Sequence, residues 1–499
     1  MKRRLIALTA ATAVLLSGCA SGAGASSGDT TSELTWGWAL PTSWDPVTST
    51  AGWDTHALSL VYAGLTQLDV EGNAVPALAE EWEYNEAGDQ ITFTLRDDLE
   101  FSDGTPVDAA AVKANLERGR DQANSTLAGQ LGIVTDVVVG DETHVTVVLD
   151  QADYQVPLLF AGKTGLIVNP AAFDDVETLT TQPEGAGPFA LTEYVPSSHA
   201  ALEKNDSYWD ADRIFIDELR VEPVPDPAVA VASLQSGQFD VALVPPSQVE
   251  AVEQAGLTAE VIKALTVRVF DINGTVAPFD QSEVPQAISH AIDRDALIAS
   301  AYFGQGSPNW QPFPDGYAAH NPALDDLYPH DVDKAKDLLA QAGYPNGLDL
   351  TLGIAEADTA LAEVIQAQLA EAGIRLTLKV IPPANNNYVT REYPFVLDSF
   401  SGRESPLQAL EVLYGPEGLM NLGRTAPPGI AEAINVARAT PLDDADYEKN
   451  VQAAVETAVS SMPNTFLFTW PRILAHTTKV TGIQQWIGTQ RWEDVKVTG

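Results

Sequence analysis

The chain has 499 residues, 45% of them hydrophobic, and carries 27 Lys and Arg against 69 Asp and Glu for a formal net charge of −42. A surface this acidic repels phosphate backbones and argues against a nucleic-acid partner. With 1 cysteine in the whole chain no intramolecular disulfide is available, so a body of this length must hold itself together by burying apolar surface, in two or three lobes.

Lys2, Arg3 and Arg4 precede an apolar stretch from Leu5 to Leu16, the pattern of a secretory signal peptide. Leu16-Ser17-Gly18-Cys19 resembles the bacterial lipobox. The resemblance implies removal of residues 1–18 and acylation of Cys19, which then anchors the chain to a membrane. A plain signal peptide or a spanning anchor is the alternative, but the apolar stretch is short for a bilayer, and no later run is long enough to cross one. Residues 19–32, mostly Ala, Gly and Ser, read as a flexible tether.

The folded body starts near Glu33. Leu34 to Leu40 reads as a strand carrying Trp36 and Trp38, broken by Pro41 and followed by Trp44-Asp45-Pro46. Leu58, Val61, Tyr62 and Leu65 share one face of a helix over 55–65. Ile91 to Arg96 alternates as a strand, Asp103-Gly104 supplies a tight turn, and Asp108 is placed to cap a helix with Val112 and Leu116 inward. Val137 to Val139 and the alternating Val145, Val147 and Leu149 flank Gly140-Asp141 as a hairpin. Further on, Val284, Ala287, Ile288, Ala291 and Ile292 form a helical stripe, with Asp293 placed to cap the next helix. Lys334 to Ala342 predicts a helix stopped by Gly343. Leu361, Val364, Ile365 and Leu369 predict another, stopped by Gly373 and followed by a strand through Leu376, Leu378 and Val380, the makings of a βαβ unit.

Several stretches together resemble the family 5 solute-binding proteins of ABC importers. These are Pro76-Ala77-Leu78-Ala79 with Trp82, Phe93-Thr94-Leu95-Arg96, and Phe101-Ser102-Asp103-Gly104-Thr105-Pro106. Gly185-Ala186-Gly187-Pro188-Phe189 with Tyr208-Trp209, Leu234 to Asp240, Asn273 through Ala287-Ile288-Ser289-His290-Ala291-Ile292-Asp293-Arg294, and Lys334 to Tyr344 follow in the family's order. The resemblance implies an α/β fold of the class II periplasmic-binding-protein type, with two main lobes around a cleft and an inserted lobe. The implied divisions are 33–66, 188–268 and 471–499 for lobe I, 67–187 for the insert, and 269–470 for lobe III. It further implies a monomer that captures a peptide or similar small amphipathic solute, hands it to an ABC permease, needs no cofactor and performs no chemistry.

Peptide binders of the family often carry an amine-pairing aspartate in the loop that here reads Phe400-Ser401-Gly402-Arg403. Arg403 on a glycine-flanked loop suits a bidentate contact with a carboxylate or phosphate; a bridge to Glu404 is the alternative. Trp38, Trp44 and Trp310 stand beside prolines as candidate stacking platforms, or as core. Asn385, Asn386, Asn387 and Tyr388 form a polar loop that could line the same cleft. The seven histidines show no metal-binding spacing, and neither Gly-x-Ser-x-Gly nor Ser-x-x-Lys stands in a setting that suits an exported hydrolase. A hydrolase, or a sensor or chaperone on the same fold, remains the rival reading.

Overall fold

A computed structural model describes residues 32–224, 226–382, 385, 387–460 and 464–498. The signal segment, Cys19, nearly all of the tether and Asn386 lie outside the described residues.

Two large sheets organise the body. The first runs in the order Thr258–Ile262, Arg472–His476, Val241–Leu243, Glu33–Gly37, Glu218–Glu222, His199–Lys204, Phe189–Val195. Glu33–Gly37 sits at its centre, parallel to both neighbours, with Leu34 and Trp36 turned into the core. The second runs Ser307–Pro308, Asn464–Thr469, Thr266–Ile272, Phe395–Ser401, Leu348–Ile354, Ile374–Val380. Its last two strands are parallel and joined by helix Thr359–Glu371, the expected βαβ unit. Gly343 and Gly373, with φ of +89° and +87°, take the left-handed conformation that ends the helices before them.

The second sheet is covered on both faces. Helices Glu283–His290, Val332–Gln341 and Thr359–Glu371 pack against Phe270, Leu352 and Leu397; helices Pro406–Tyr414, Ile430–Arg438 and Tyr447–Val459 pack against Val267, Val269 and Phe400. A smaller antiparallel sheet, Ala79–Tyr84, Gln90–Leu95, His144–Leu149, Val134–Val139, carries helix Ala109–Asp121. Asp108 caps that helix, accepting from the Ala111 N–H at 2.8 Å.

The chain passes between the two large sheets along a pair of antiparallel crossings. Ile262 pairs with Arg472 in the first sheet and Val267 with Thr469 in the second. Between them the Thr266 hydroxyl donates to the Trp470 carbonyl at 2.6 Å.

Two elements stop earlier than their periodicity suggests. The first strand ends at Gly37, and the helix expected to reach Leu65 ends at Val61, with Tyr62 extended. The helix stops because the Gly185–Gly187 backbone crosses its end: the Gly187 N–H donates to the Val61 carbonyl at 3.0 Å. A Cβ on Gly187 would lie 2.5 Å from the Tyr62 nitrogen, so the two glycines are required by close approach alone.

Candidate functional site

Strand Phe395–Ser401 delivers its last residues to the crossings. The Gly402 N–H donates to the Leu265 carbonyl, and a Cβ on Gly402 would lie 2.5 Å from the Leu265 Cβ, so only glycine lets the chain turn here. Arg403 then folds back, its Nη1 donating to the Ser401 carbonyl at 2.9 Å and its guanidinium lying 5.9 Å from the Phe400 ring centre. Glu404, the next residue, reaches a cavity of about 70 Å³. Its other walls include Thr55 and Ser59 of helix Thr55–Val61, Tyr62 to Gly64, Thr66 to Asp69, Ala161, Tyr208, Trp486, and Gly488 to Glu493.

Glu404 fits because residue 162 has no side chain: a Cβ there would stand 2.3 Å from the Glu404 Cδ. Burial pushes the Glu404 carboxyl above its usual range, while a hydrogen bond from its own backbone N–H and the charges of Arg403 and Lys163 oppose the shift. Lys163 approaches from the same side as Gly162. Its ammonium donates to the Ser49 carbonyl at 2.7 Å and the Thr126 hydroxyl at 3.3 Å. Burial lowers its pKa against the pull of Asp54 and Glu404. Asp54 is 1% exposed and accepts from the Ser49 hydroxyl at 2.7 Å and the Ala51 N–H at 3.3 Å, which orders loop 42–54 beside the cavity.

Behind the C-terminal wall lies an aromatic stack. Trp36 is 4.9 Å from Trp492 and 5.0 Å from Trp38, which meets His56 at 4.8 Å. The Gln490 N–H donates to His56 Nδ1 at 2.8 Å, which makes Nδ1 an acceptor; burial and the charge of Arg472 hold the ring neutral, so its proton sits on Nε2.

The tryptophans do not behave as exposed platforms. Trp44 is wholly buried against Tyr194, and Trp38 is 8% exposed within the stack, one layer behind the cavity wall. Trp310 is partnered inside its own lobe: its indole N–H donates to the Tyr328 carbonyl at 3.2 Å and Arg294 covers its face at 4.8 Å. Of the two readings, platform or core, the packing places Trp38 and Trp44 in the core, because the loop after the first strand folds inward over the first sheet. Tyr388 binds Asp271 at 2.8 Å, beside the far end of the second sheet from the crossings, and Asn387 donates to the Tyr393 carbonyl at 3.0 Å. Neither lines the cavity.

Residues 73–419 match the family described as bacterial extracellular solute-binding proteins, family 5, middle part. The chain belongs to this family. The glutathione-binding protein GsiB of Shigella dysenteriae is 31% identical over 324 residues, a match covering 63% of this chain and 62% of that protein, so the match spans under two thirds of the curated relative's length. The solved structure of the binding protein AgaA from A. tumefaciens R10, in complex with agropinic acid, is 27% identical with a TM-score of 0.80, covering 94% of this chain and 99% of that one. HbpA2 from Haemophilus parasuis is 25% identical, also at TM-score 0.80, with coverage of 94% and 100%.

The side chain of the loop after strand Phe395–Ser401 that reaches the cavity wall is Glu404. Sequence reasoning singled out Arg403 and treated Glu404 only as its neighbour, because once Gly402 breaks the strand alternation, period cannot say which of the two points inward. Lys163 was missed altogether, since nothing local in its segment announces a contact with residues so distant in the chain. Among the described residues no cluster of three or more His, Cys, Asp or Glu is placed to hold a metal, and no helix is long and apolar enough to cross a membrane.

Proposed function

We propose that this chain is the solute-capturing component of an ABC importer, a monomer tethered outside the cell membrane through acylated Cys19. Lobe I (33–66, 188–268, 471–499) and lobe III (269–470) close on the solute about the paired crossings, with 67–187 as the inserted lobe. The protein performs no chemistry. A ligand that contacts both lobes draws the population toward the closed form by its greater affinity for it, and the closed form docks on the permease.

The solute class is a carboxylate-bearing peptide or a similar small amphipathic molecule. The observation that carries this is the attraction of two cations, Arg403 from lobe III and Lys163 from the insert, to Glu404, which lines the cavity. The relatives named for glutathione and solved with agropinic acid support an acidic solute. Phe400, Ser401 and Gly402 place Arg403, and the tryptophans 38, 44 and 310 take scaffold roles.

A thermal-shift screen of the mature chain against short peptides, glutathione, dicarboxylates and oligosaccharides tests the reading. A ligand at a hundredfold over its Kd adds about 2.7 kcal/mol of stability. The expected hit is a carboxylate-bearing solute whose shift is lost in Arg403→Ala. Turnover of a chromogenic ester or glycoside with no binding would overturn the reading. For the anchor, Cys19→Ser is expected to release the chain from the membrane fraction.

A further inference from the structure

The insert, residues 67–187, meets its two neighbours in different ways. Toward lobe I the contact is apolar: Leu78, Ile91 and Phe93 share one buried core with Leu34, Leu58 and Leu219. Toward lobe III, among the described residues, no side chain of the insert joins either apolar core. The contacts there are polar. Asp153 pairs with Arg438 at 3.1 Å, the Tyr154 N–H donates to the Arg438 carbonyl at 2.9 Å, and Gln155 Oε1 accepts from the Ser405 and Tyr447 hydroxyls at 3.1 and 3.2 Å. Two glycines complete the fit: a Cβ on Gly72 would stand 2.9 Å from the Tyr317 ring, and one on Gly162 would stand 2.3 Å from the Glu404 Cδ.

Splitting an apolar core exposes its whole surface to water, whereas polar groups that part exchange one partner for another at small net cost. The seam that yields when lobes I and III separate is therefore the one between the insert and lobe III. We propose that this seam is a latch on the closed form, in which Gln155 of the insert and Tyr447 of lobe III set the balance between closed and open without touching the solute. The inference rests on the closing-lobe reading and adds a second closing surface, set apart from the cavity, which neither residue lines. Burial makes the latch specific to the closed form. Gln155 and Tyr447 are 4% and 8% exposed, so their hydrogen bond is dry when the seam is shut and competes with water once it opens. Because the latch acts on the closed fraction alone, weakening it lowers the apparent affinity for every solute by one common factor.

The experiment is distance measurement with paired spin labels on the chain carrying Cys19→Ser, with no solute added. One pair, Glu86→Cys with Ala445→Cys, spans the seam; a second, Glu253→Cys with Glu363→Cys, spans lobes I and III, and all four positions are exposed. Wild type is expected to hold each pair mainly at one separation. Tyr447→Phe deletes a single hydrogen bond and is expected to lower the closed-to-open ratio about fivefold. Gln155→Met deletes both bonds to lobe III and lowers it further, and Tyr447→Phe keeps the test alive if the methionine variant does not fold. In both variants a second, longer separation grows in the two pairs together. Longer separations in the second pair with the first pair fixed would mean that the insert travels with lobe III, which overturns the latch and leaves the closing reading standing. Separations that change in neither pair, in any of the three chains, overturn both.

Discussion

Arg438 and Asp153 form an ion pair at 3.1 Å with side chains only 10% and 5% exposed, tying the chain that leaves the four-stranded sheet to the helices behind Phe400. The backbone joins in: the Tyr154 N–H donates to the Arg438 carbonyl at 2.9 Å. Gln155 follows, its Oε1 accepting from the Ser405 hydroxyl at 3.1 Å and the Tyr447 hydroxyl at 3.2 Å. The strap therefore ends on the residue that caps helix Pro406–Tyr414, directly after Glu404.

Arg438 is shared between Asp153 and Glu411, so its removal leaves two acids without their cation. Arg438→Met is expected to destabilise the fold by about 3–5 kcal/mol, the scale for breaking a buried pair from one side. Urea unfolding checks it, and a loss below about 1 kcal/mol would show that the strap is held by packing alone.

Asp153 itself carries a pH dependence. Burial raises its carboxyl from 3.8 to about 6, outweighing the attraction of Arg438. The folded state therefore holds the proton more tightly than the unfolded chain, so the associated stability is complete below about pH 4 and is lost as pH rises toward 6. Melting temperatures of wild type and Asp153→Asn across that window are expected to diverge, with the variant gaining relative to wild type as pH rises.

How much of this was legible beforehand depends on the range of the interaction. Asp108, Asp293, Gly343 and Gly373 act within one turn of their own helices, and each does in the structure what its local pattern implies. The early end of helix Thr55–Val61 depends on Gly187, and the occupant of the cavity wall on Gly162 and Leu265, none of which is near in sequence. Residue type could not decide for Trp44: an aromatic in a loop after a strand reads as platform or as core, and only its burial and the packing of Tyr194 against it show that it is core.

The Gly-x-Gly-Pro-Phe stretch yields a steric prediction that contrasts with the Asp-Gly turn. Alanine at Gly187 would drive a methyl into the Val61–Tyr62 backbone at 2.5 Å, whereas at Gly104, with φ of +82°, a Cβ meets nothing within 4 Å. Gly187→Ala is therefore expected to cost about 2–3 kcal/mol through overpacking, and Gly104→Ala about 1 kcal/mol through backbone strain alone. Chemical denaturation of the two variants side by side distinguishes the mechanisms; equal losses would mean that the helix end yields freely.

At the far end of the second sheet Tyr388 lies between two acids, its hydroxyl 2.8 Å from Asp271 and in direct contact with Asp398. A hydroxyl has one proton and can donate to only one carboxylate at a time, so the two acids compete for it and a proton on either relieves their repulsion. Asp271 is wholly buried, and burial together with the charge of Asp398 pushes it well above the usual range, against the hydrogen bonds from Tyr388 and Asn464, which makes it the acid that takes up a proton more readily. Asp398, also raised by burial, is pulled down by Tyr388, by the Ser399 N–H at 2.7 Å and by Arg268, with Asp358 opposing. Since the folded state binds this proton more strongly than the unfolded chain, its contribution is complete below about pH 4 and fades as pH rises through the raised value. Urea unfolding at pH 5 and pH 8 is expected to show wild type weakening with pH and Asp271→Asn weakening less, because the amide supplies the donor at every pH. Tyr388→Phe, which leaves two acids facing each other, is expected to lose about 1–3 kcal/mol. A wild type as stable at pH 8 as at pH 5, with Asp271→Asn no different in slope, would mean that both acids are ionised in the fold.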